Sequence, residues 1–230
     1  MPVVKSRSVL SGMLVKEAMR RQMLQLYEKA SVSQAIQYLI KFKVNALLVV
    51  GYMGSPLGVV SKTDIVAAFY GGLPLETSLK EVMNGPAATC FPDEPLEAAL
   101  ERMHKAGIHQ LYLQGAEEGS LTGALSYEDA VAVLYRFCRA CPRRVGAGKA
   151  SEASWDASMR LRVEEARTRS VVFCRETDSL AEVAEGLTSQ RLGAVLIQGR
   201  DGEAAGVVSK TDLLIAYATA PSSRRKPGLS

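Results

Sequence analysis

No run of about 18 apolar residues occurs anywhere in the 230-residue chain, so the sequence offers no membrane-spanning helix. The opening Met1-Pro2-Val3-Val4-Lys5-Ser6-Arg7 turns polar too early for the apolar core of a secretion signal, and a cytoplasmic location is expected. Histidine is scarce: His104 and His109 are the two in the chain. There is no H-E-x-x-H, no Ser-His-Asp order and no Walker loop, so an enzyme is not expected. Four cysteines are present, Cys90, Cys138, Cys141 and Cys174. Cys138-Arg139-Ala140-Cys141 has the C-x-x-C spacing, but no second pair or nearby His completes a zinc set, and no metal is expected. Cys90 and Cys174 stand in apolar segments and read as small core residues. Excess charge is also small, +4 from 28 basic and 24 acidic residues. It gathers in Arg136, Arg139, Arg143, Arg144 and Lys149 and in Arg224, Arg225 and Lys226, which describes a linker and a tail rather than a nucleic-acid-binding face.

What the chain has is repetition. Gly58-Val59-Val60-Ser61-Lys62-Thr63-Asp64 recurs letter for letter as Gly206-Val207-Val208-Ser209-Lys210-Thr211-Asp212, an offset of 148 positions. The same offset aligns Val15-Lys16-Glu17-Ala18 with Val163-Glu164-Glu165-Ala166, and Ala46–Val50 with Ala194–Gln198. A looser copy, Gly123-Ala124-Leu125-Ser126-Tyr127-Glu128-Asp129, lies between them. Internal repeats of this length define the architecture before any local reading.

Each copy predicts the order β-α-β-β-α. In the first, Gln22–Tyr27 is extended and Ser33–Phe42 carries Ala35, Ile36, Leu39 and Ile40 at helical spacing. Ala46–Val50 is a continuous apolar strand, Gly51–Pro56 a turn, and Leu57–Ser61 the return strand. The fold class is therefore α/β (α+β), built from three repeats. The expected boundaries are an N-terminal segment 1–13, repeats at 14–72, 78–138 and 160–220, a basic linker 139–159 and a disordered tail 221–230. A repeat of this size is marginal alone, so the first two are expected to pair. The third is then left without a mate in its own chain, and a homodimer through repeat three is expected.

The recurring Ser-x-x-Asp has two readings. It is a capping-box pattern at a helix start. A strand that feeds a helix N-terminus is also where phosphate finds free N–H groups, and an adjacent carboxylate can grip a ribose diol. The glycine three residues before each serine lets something approach the backbone closely.

Three β-α-β-β-α repeats ending in Gly-h-h-Ser-x-x-Asp-h (h apolar), each opened by a Val-x-x-Ala-Met-like turn, resemble cystathionine-β-synthase (CBS) domains. The resemblance implies that two repeats form a Bateman module whose cleft takes an adenosine ligand, AMP, ADP or ATP ahead of S-adenosylmethionine or NAD, with no cofactor required. It implies regulation of a protein partner without catalysis. It places the ribose-binding carboxylate on Asp64, Asp129 and Asp212, with hydroxyls from Ser61, Thr63, Ser126, Ser209 and Thr211. Gly107-Ile108-His109-Gln110-Leu111 resembles a phosphate-contacting stretch of the family, which gives His109 that role and favours a site of Ser61, Thr63, Asp64 and His109. The alternatives are a ligand-free structural or oligomerisation module, and the regulatory fragment of a larger protein.

Overall fold

The computed structural model describes residues 10, 12–117, 119–140 and 172–219. The Cys138 side chain, Cys141, Trp155, most of the expected linker and the expected tail lie outside them. Each repeat forms one three-stranded sheet, with two strands parallel across a helical crossover and the third returning by a hairpin. Repeat one holds α1 (Val15–Ala18), β1 (Gln25–Tyr27), α2 (Val32–Lys41), β2 (Ala46–Val50), β3 (Pro56–Ser61) and α3 (Lys62–Tyr70). Repeat two holds α4 (Leu79–Val82), β4 (Thr89–Cys90), α5 (Leu96–Ala106), β5 (Gln110–Gln114), β6 (Leu121–Ser126) and α6 (Tyr127–Ala140). Repeat three holds β7 (Phe173–Arg175), α7 (Leu180–Ser189), β8 (Ala194–Gln198), β9 (Ala204–Ser209) and α8 (Lys210–Thr219). Among the described residues no helix is long and apolar enough to cross a membrane.

Local sequence explains the elements. Ser31 caps α2: its Oγ accepts from the Gln34 N–H at 3.2 Å, and Gln34 Oε1 accepts from the Ser31 N–H at 2.9 Å. Val32, Ala35, Ile36 and Leu39 then bury one helical face. β2 is buried at every position, as its unbroken apolar run requires. α5 ends at Gly107, whose φ of 65° is the left-handed cap that glycine adopts without strain. Cys90 is a core residue, and burial pushes its thiol up to about 11.

The chain divides into two units. One contains residues 1–22, 89–115 and 122–170, and the other 23–88, 116–121 and 171–230. These boundaries show that repeats one and two exchange their opening segments. In the first unit, α1 of repeat one sits on repeat two: Val15 N–H donates to Glu94 O at 3.0 Å, and Arg20 and Ala124 exchange backbone bonds of 2.8 and 2.9 Å. Val15 and Ala18 join the core of Leu96, Met103, Leu111 and Leu125. In the second unit, α4 of repeat two sits on repeat one: Val59 and Asn84 exchange bonds of 2.7 and 2.9 Å, and Leu79 enters the core. We call these segments lead-ins.

The same unit corrects the expected isolation of repeat three. Its Val183, Ala184, Leu187, Leu213, Leu214 and Tyr217 share one buried cluster with Leu39, Leu47, Ile65 and Val66 of repeat one. α7 and α8 pack on α3, and the Phe69 and Tyr217 rings lie 4.9 Å apart. The helical faces of repeat three therefore have a mate within the chain. Their hydrophobicity was legible; the surface they cover was not.

Candidate functional site

All three Ser-x-x-Asp motifs fall where a strand becomes a helix, and all three make the cap. Asp64 Oδ2 accepts from the Ser61 N–H at 2.7 Å and from its hydroxyl at 2.6 Å. Asp129 Oδ2 accepts from Ser126 at 2.8 and 2.6 Å, and Asp212 Oδ2 from Ser209 at 2.8 and 2.6 Å. One carboxylate oxygen is thus spent on the junction in each repeat, beside the positive end of a helix. The other oxygen distinguishes them. Asp64 Oδ1 accepts from Asn84 Nδ2 at 2.7 Å. Asp129 is gripped by Arg20, whose Nε lies 2.9 Å from Oδ1 and 3.0 Å from Oδ2, while its guanidinium reaches Ser126 Oγ at 3.4 Å. Asp212 takes no side chain other than Ser209 among the described residues.

Asn84 and Arg20 were not found from sequence. Both are lead-in residues, each following the methionine of its opening turn (Met83 and Met19). The glycines carried the missed signal. A Cβ on Gly58 would stand 2.5 Å from Asn84 O, and one on Gly123 2.6 Å from Arg20 O. The close approach that glycine permits here is made by the lead-in backbone, so glycine at this position is not a sign of a ligand.

The two identical heptads meet within the second unit. Lys62 Nζ donates to Thr211 Oγ1 at 3.0 Å, and Lys210 Nζ donates to Thr63 Oγ1 at 2.8 Å. Thr63 and Thr211 are thereby engaged across the seam between repeats one and three. Burial pulls Lys210 below the ordinary lysine range, against the raising effect of Asp64. His109 belongs to the other unit. It is exposed at the start of β5, edge-on to Tyr127 with ring centroids 5.8 Å apart. A cavity of about 330 Å³ lined by Arg175, Thr177, Gln198 and Arg200 lies at the hairpin end of β8, opposite the end that pairs with Ser209.

The Ser209 hydroxyl and then its backbone N–H hold Asp212 below the usual carboxylate range. A depressed carboxyl stabilises the fold at pH values above its unfolded pKa, and that contribution is lost as pH falls through the lowered value. Ser209→Ala is expected to flatten the dependence of stability on pH below about pH 4, read from urea melts. An unchanged acid limb would show that this cap contributes nothing.

The pattern of the CBS domain matches residues 15–71, 79–136 and 163–219. The chain belongs to the CBS-domain family. A CBS-domain protein of Agrobacterium tumefaciens, ATU1752, has the same fold, with a TM-score of 0.50 and 24% identity, covering 54% of this chain and 96% of that one. The uncharacterized protein MJ1225 of Methanocaldococcus jannaschii is 21% identical over 207 residues, 89% of this chain and 70% of its own. A homoserine O-acetyltransferase of Methanococcoides burtonii is 31% identical over 116 residues. The match covers 50% of this CBS chain but 23% of that enzyme, so nothing of acetyl transfer is carried over.

Proposed function

We propose that this protein is a cytoplasmic, non-catalytic sensor of adenosine nucleotides, with AMP, ADP or ATP as ligand. The observation that carries the reading is the threefold Ser-x-x-Asp at strand-to-helix junctions in a chain of CBS repeats. Asp64 is the favoured ribose carboxylate. Its cap uses Oδ2, and its Oδ1 is held by the neutral amide of Asn84, a bond that a ribose diol replaces at little net cost. Ser61, Thr63 and the helix start of α3 serve the phosphate end, with Lys210 already at Thr63. Asp129 is the least available of the three, because a guanidinium grips it through a charge-assisted pair. Asp212, with Ser209 and Thr211, is open on its Oδ1 side. His109 keeps the phosphate-contacting role that family resemblance implies. Binding would signal to a protein partner by favouring one of two arrangements of the repeats, which requires different affinities for the two.

A thermal-shift panel of AMP, ADP, ATP, S-adenosylmethionine and NAD tests this. At least one adenosine ligand is expected to raise Tm, and Asp64→Ala and His109→Ala are each expected to weaken that response about tenfold or more in ligand concentration, the equivalent of about 1.4 kcal/mol. A silent panel would overturn the reading. A second reading is favoured by the capping bonds themselves: the motifs are structural only. Ser61→Ala would then cost about 0.5–2 kcal/mol of stability with no ligand response to lose.

A further inference from the structure

The residue that follows each lead-in methionine meets the carboxylate of another repeat, and its type differs between the two. Arg20 and Asn84 hold equivalent positions, directly after Met19 and Met83. The main chain of each is fixed beside its target. Arg20 exchanges bonds with Ala124, two residues before Ser126, and Asn84 exchanges them with Val59, two residues before Ser61. Both side chains therefore start at the same place relative to a Ser-x-x-Asp cap, and their length and charge decide what they do there.

Asn84 is short and neutral. Its Nδ2 reaches Asp64 Oδ1 at 2.7 Å, and Ser61 and Asp64 stay half-buried. Arg20 is long and cationic. Its Nε lies 2.9 and 3.0 Å from the two Asp129 oxygens, and its guanidinium reaches the Ser126 hydroxyl. Ser126 and Asp129 are buried beneath it, at 4% and 9% exposure. A ribose diol brings neutral hydroxyls. They can take the place of the Asn84 amide like for like, but they cannot take the place of the guanidinium without leaving a partly buried cation unpaired. Asp212 is exposed and meets no lead-in side chain among the described residues.

We infer that the residue after the lead-in methionine selects which carboxylates take ligand: Asn84 keeps the Asp64 site open, and Arg20 is a tethered plug that closes the Asp129 site. The plug belongs to the same chain and its main chain is already docked, so a free ligand competes with a cation at high effective concentration. Asp129 then serves to hold α1 on repeat two, and the two sites are unequal although both carry the motif. What the open carboxylates bind rests on the nucleotide reading; which of them are open does not.

Exchanging the two side chains tests the selector with two readouts. The first needs no nucleotide: carboxylates are modified with a water-soluble carbodiimide and glycine ethyl ester, and the peptides are read by mass spectrometry. In the natural chain Asp129 is expected to react about tenfold or more slowly than Asp64. Arg20→Asn should bring Asp129 close to the rate of Asp64, and Asn84→Arg should slow Asp64. Arg20→Lys, which keeps the charge and loses the fork, should fall between. The second readout is isothermal titration with AMP and with ATP. Arg20→Asn is expected to bind one equivalent more than the natural chain, and Asn84→Arg one fewer. Asn84 is exposed, so its variant decides even where loss of Arg20 unfolds its unit. The expected reactivities with every chain silent toward both nucleotides would overturn the nucleotide reading and leave the selector standing. Unchanged reactivities would overturn the selector. So would a natural chain that binds nucleotide beside an Arg20→Asn chain that binds no additional equivalent or binds more weakly, since Arg20 would then be a ligand contact or a bystander.

Discussion

Gly58→Ala is expected to destabilise the protein by about 1–3 kcal/mol, and Gly123→Ala by a similar amount. Neither glycine has a positive φ, so backbone strain is not the cause. The cause is what stands opposite. The added methyl would lie 2.5 Å from Asn84 O at the first site and 2.6 Å from Arg20 O at the second, and each oxygen belongs to main chain. Main chain cannot rotate away as a side chain tip can. Asn84 O is fixed by the Val59 N–H at 2.7 Å, and Arg20 O by the Ala124 N–H at 2.9 Å, so relief means opening those bridges. Gly186 is the control. It lies inside α7 with nothing within 4 Å of an added Cβ, and Gly186→Ala is expected to be neutral or to stabilise by about 0.5–1 kcal/mol. Urea melts of the three variants decide the matter. If Gly58→Ala is as stable as the natural protein, the lead-in does not close on β3 as described. The substitution should also shift Asn84 away from Asp64, so its nucleotide response is worth measuring beside its stability.

The contrast between glycines shows what the sequence could and could not disclose. The duplicated heptad made the repeat order legible, since a strand, a cap and an apolar helix each leave side-chain signatures. β2 was readable to the residue, and α2 and β3 to within one. The lead-in exchange left almost none. Its bonds run from backbone to backbone, Val59 to Asn84 and Arg20 to Ala124, and any residue other than proline could make them. Glycine was the one letter that reported it, and glycine is equally compatible with a ligand. The site was legible to the same degree. Ser61 and Asp64, Ser126 and Asp129, and Ser209 and Asp212 all stand at their expected junctions. Their neighbours arrive from another repeat, Asn84 from the one that follows and Arg20 from the one that precedes, across 20 and 109 positions, beyond the reach of any local pattern.

Leu187→Ala in repeat three is expected to cost about 2–5 kcal/mol, and the loss should register in repeat one as well. Leu187 is fully buried in a cluster that runs without a break into Ile36, Leu39, Leu47 and Ile65. Truncating it leaves a cavity under α7, and α7 is part of the cover over α3. A domain of this size has only about 5–15 kcal/mol of net stability, so the expected loss is a large fraction of the total. Were repeat three an appendage folding on its own, amides of β8 would lose protection and those of β2 would not. The shared core predicts that Leu47 and Val49 in β2 lose hydrogen-exchange protection together with Val195 in β8, within one cooperative transition. Unchanged exchange in β2 would show two separate folding units. The seam gives the same coupling a functional reading. Lys210 reaches Thr63 and Lys62 reaches Thr211, so loosening repeat three withdraws a cation from beside Asp64. On the nucleotide-sensing reading, Leu187→Ala should therefore weaken the nucleotide response as well as the fold. Ile65→Val, a smaller change in the same cluster, should move both by less, because it removes one methylene and costs about 0.5–1.5 kcal/mol.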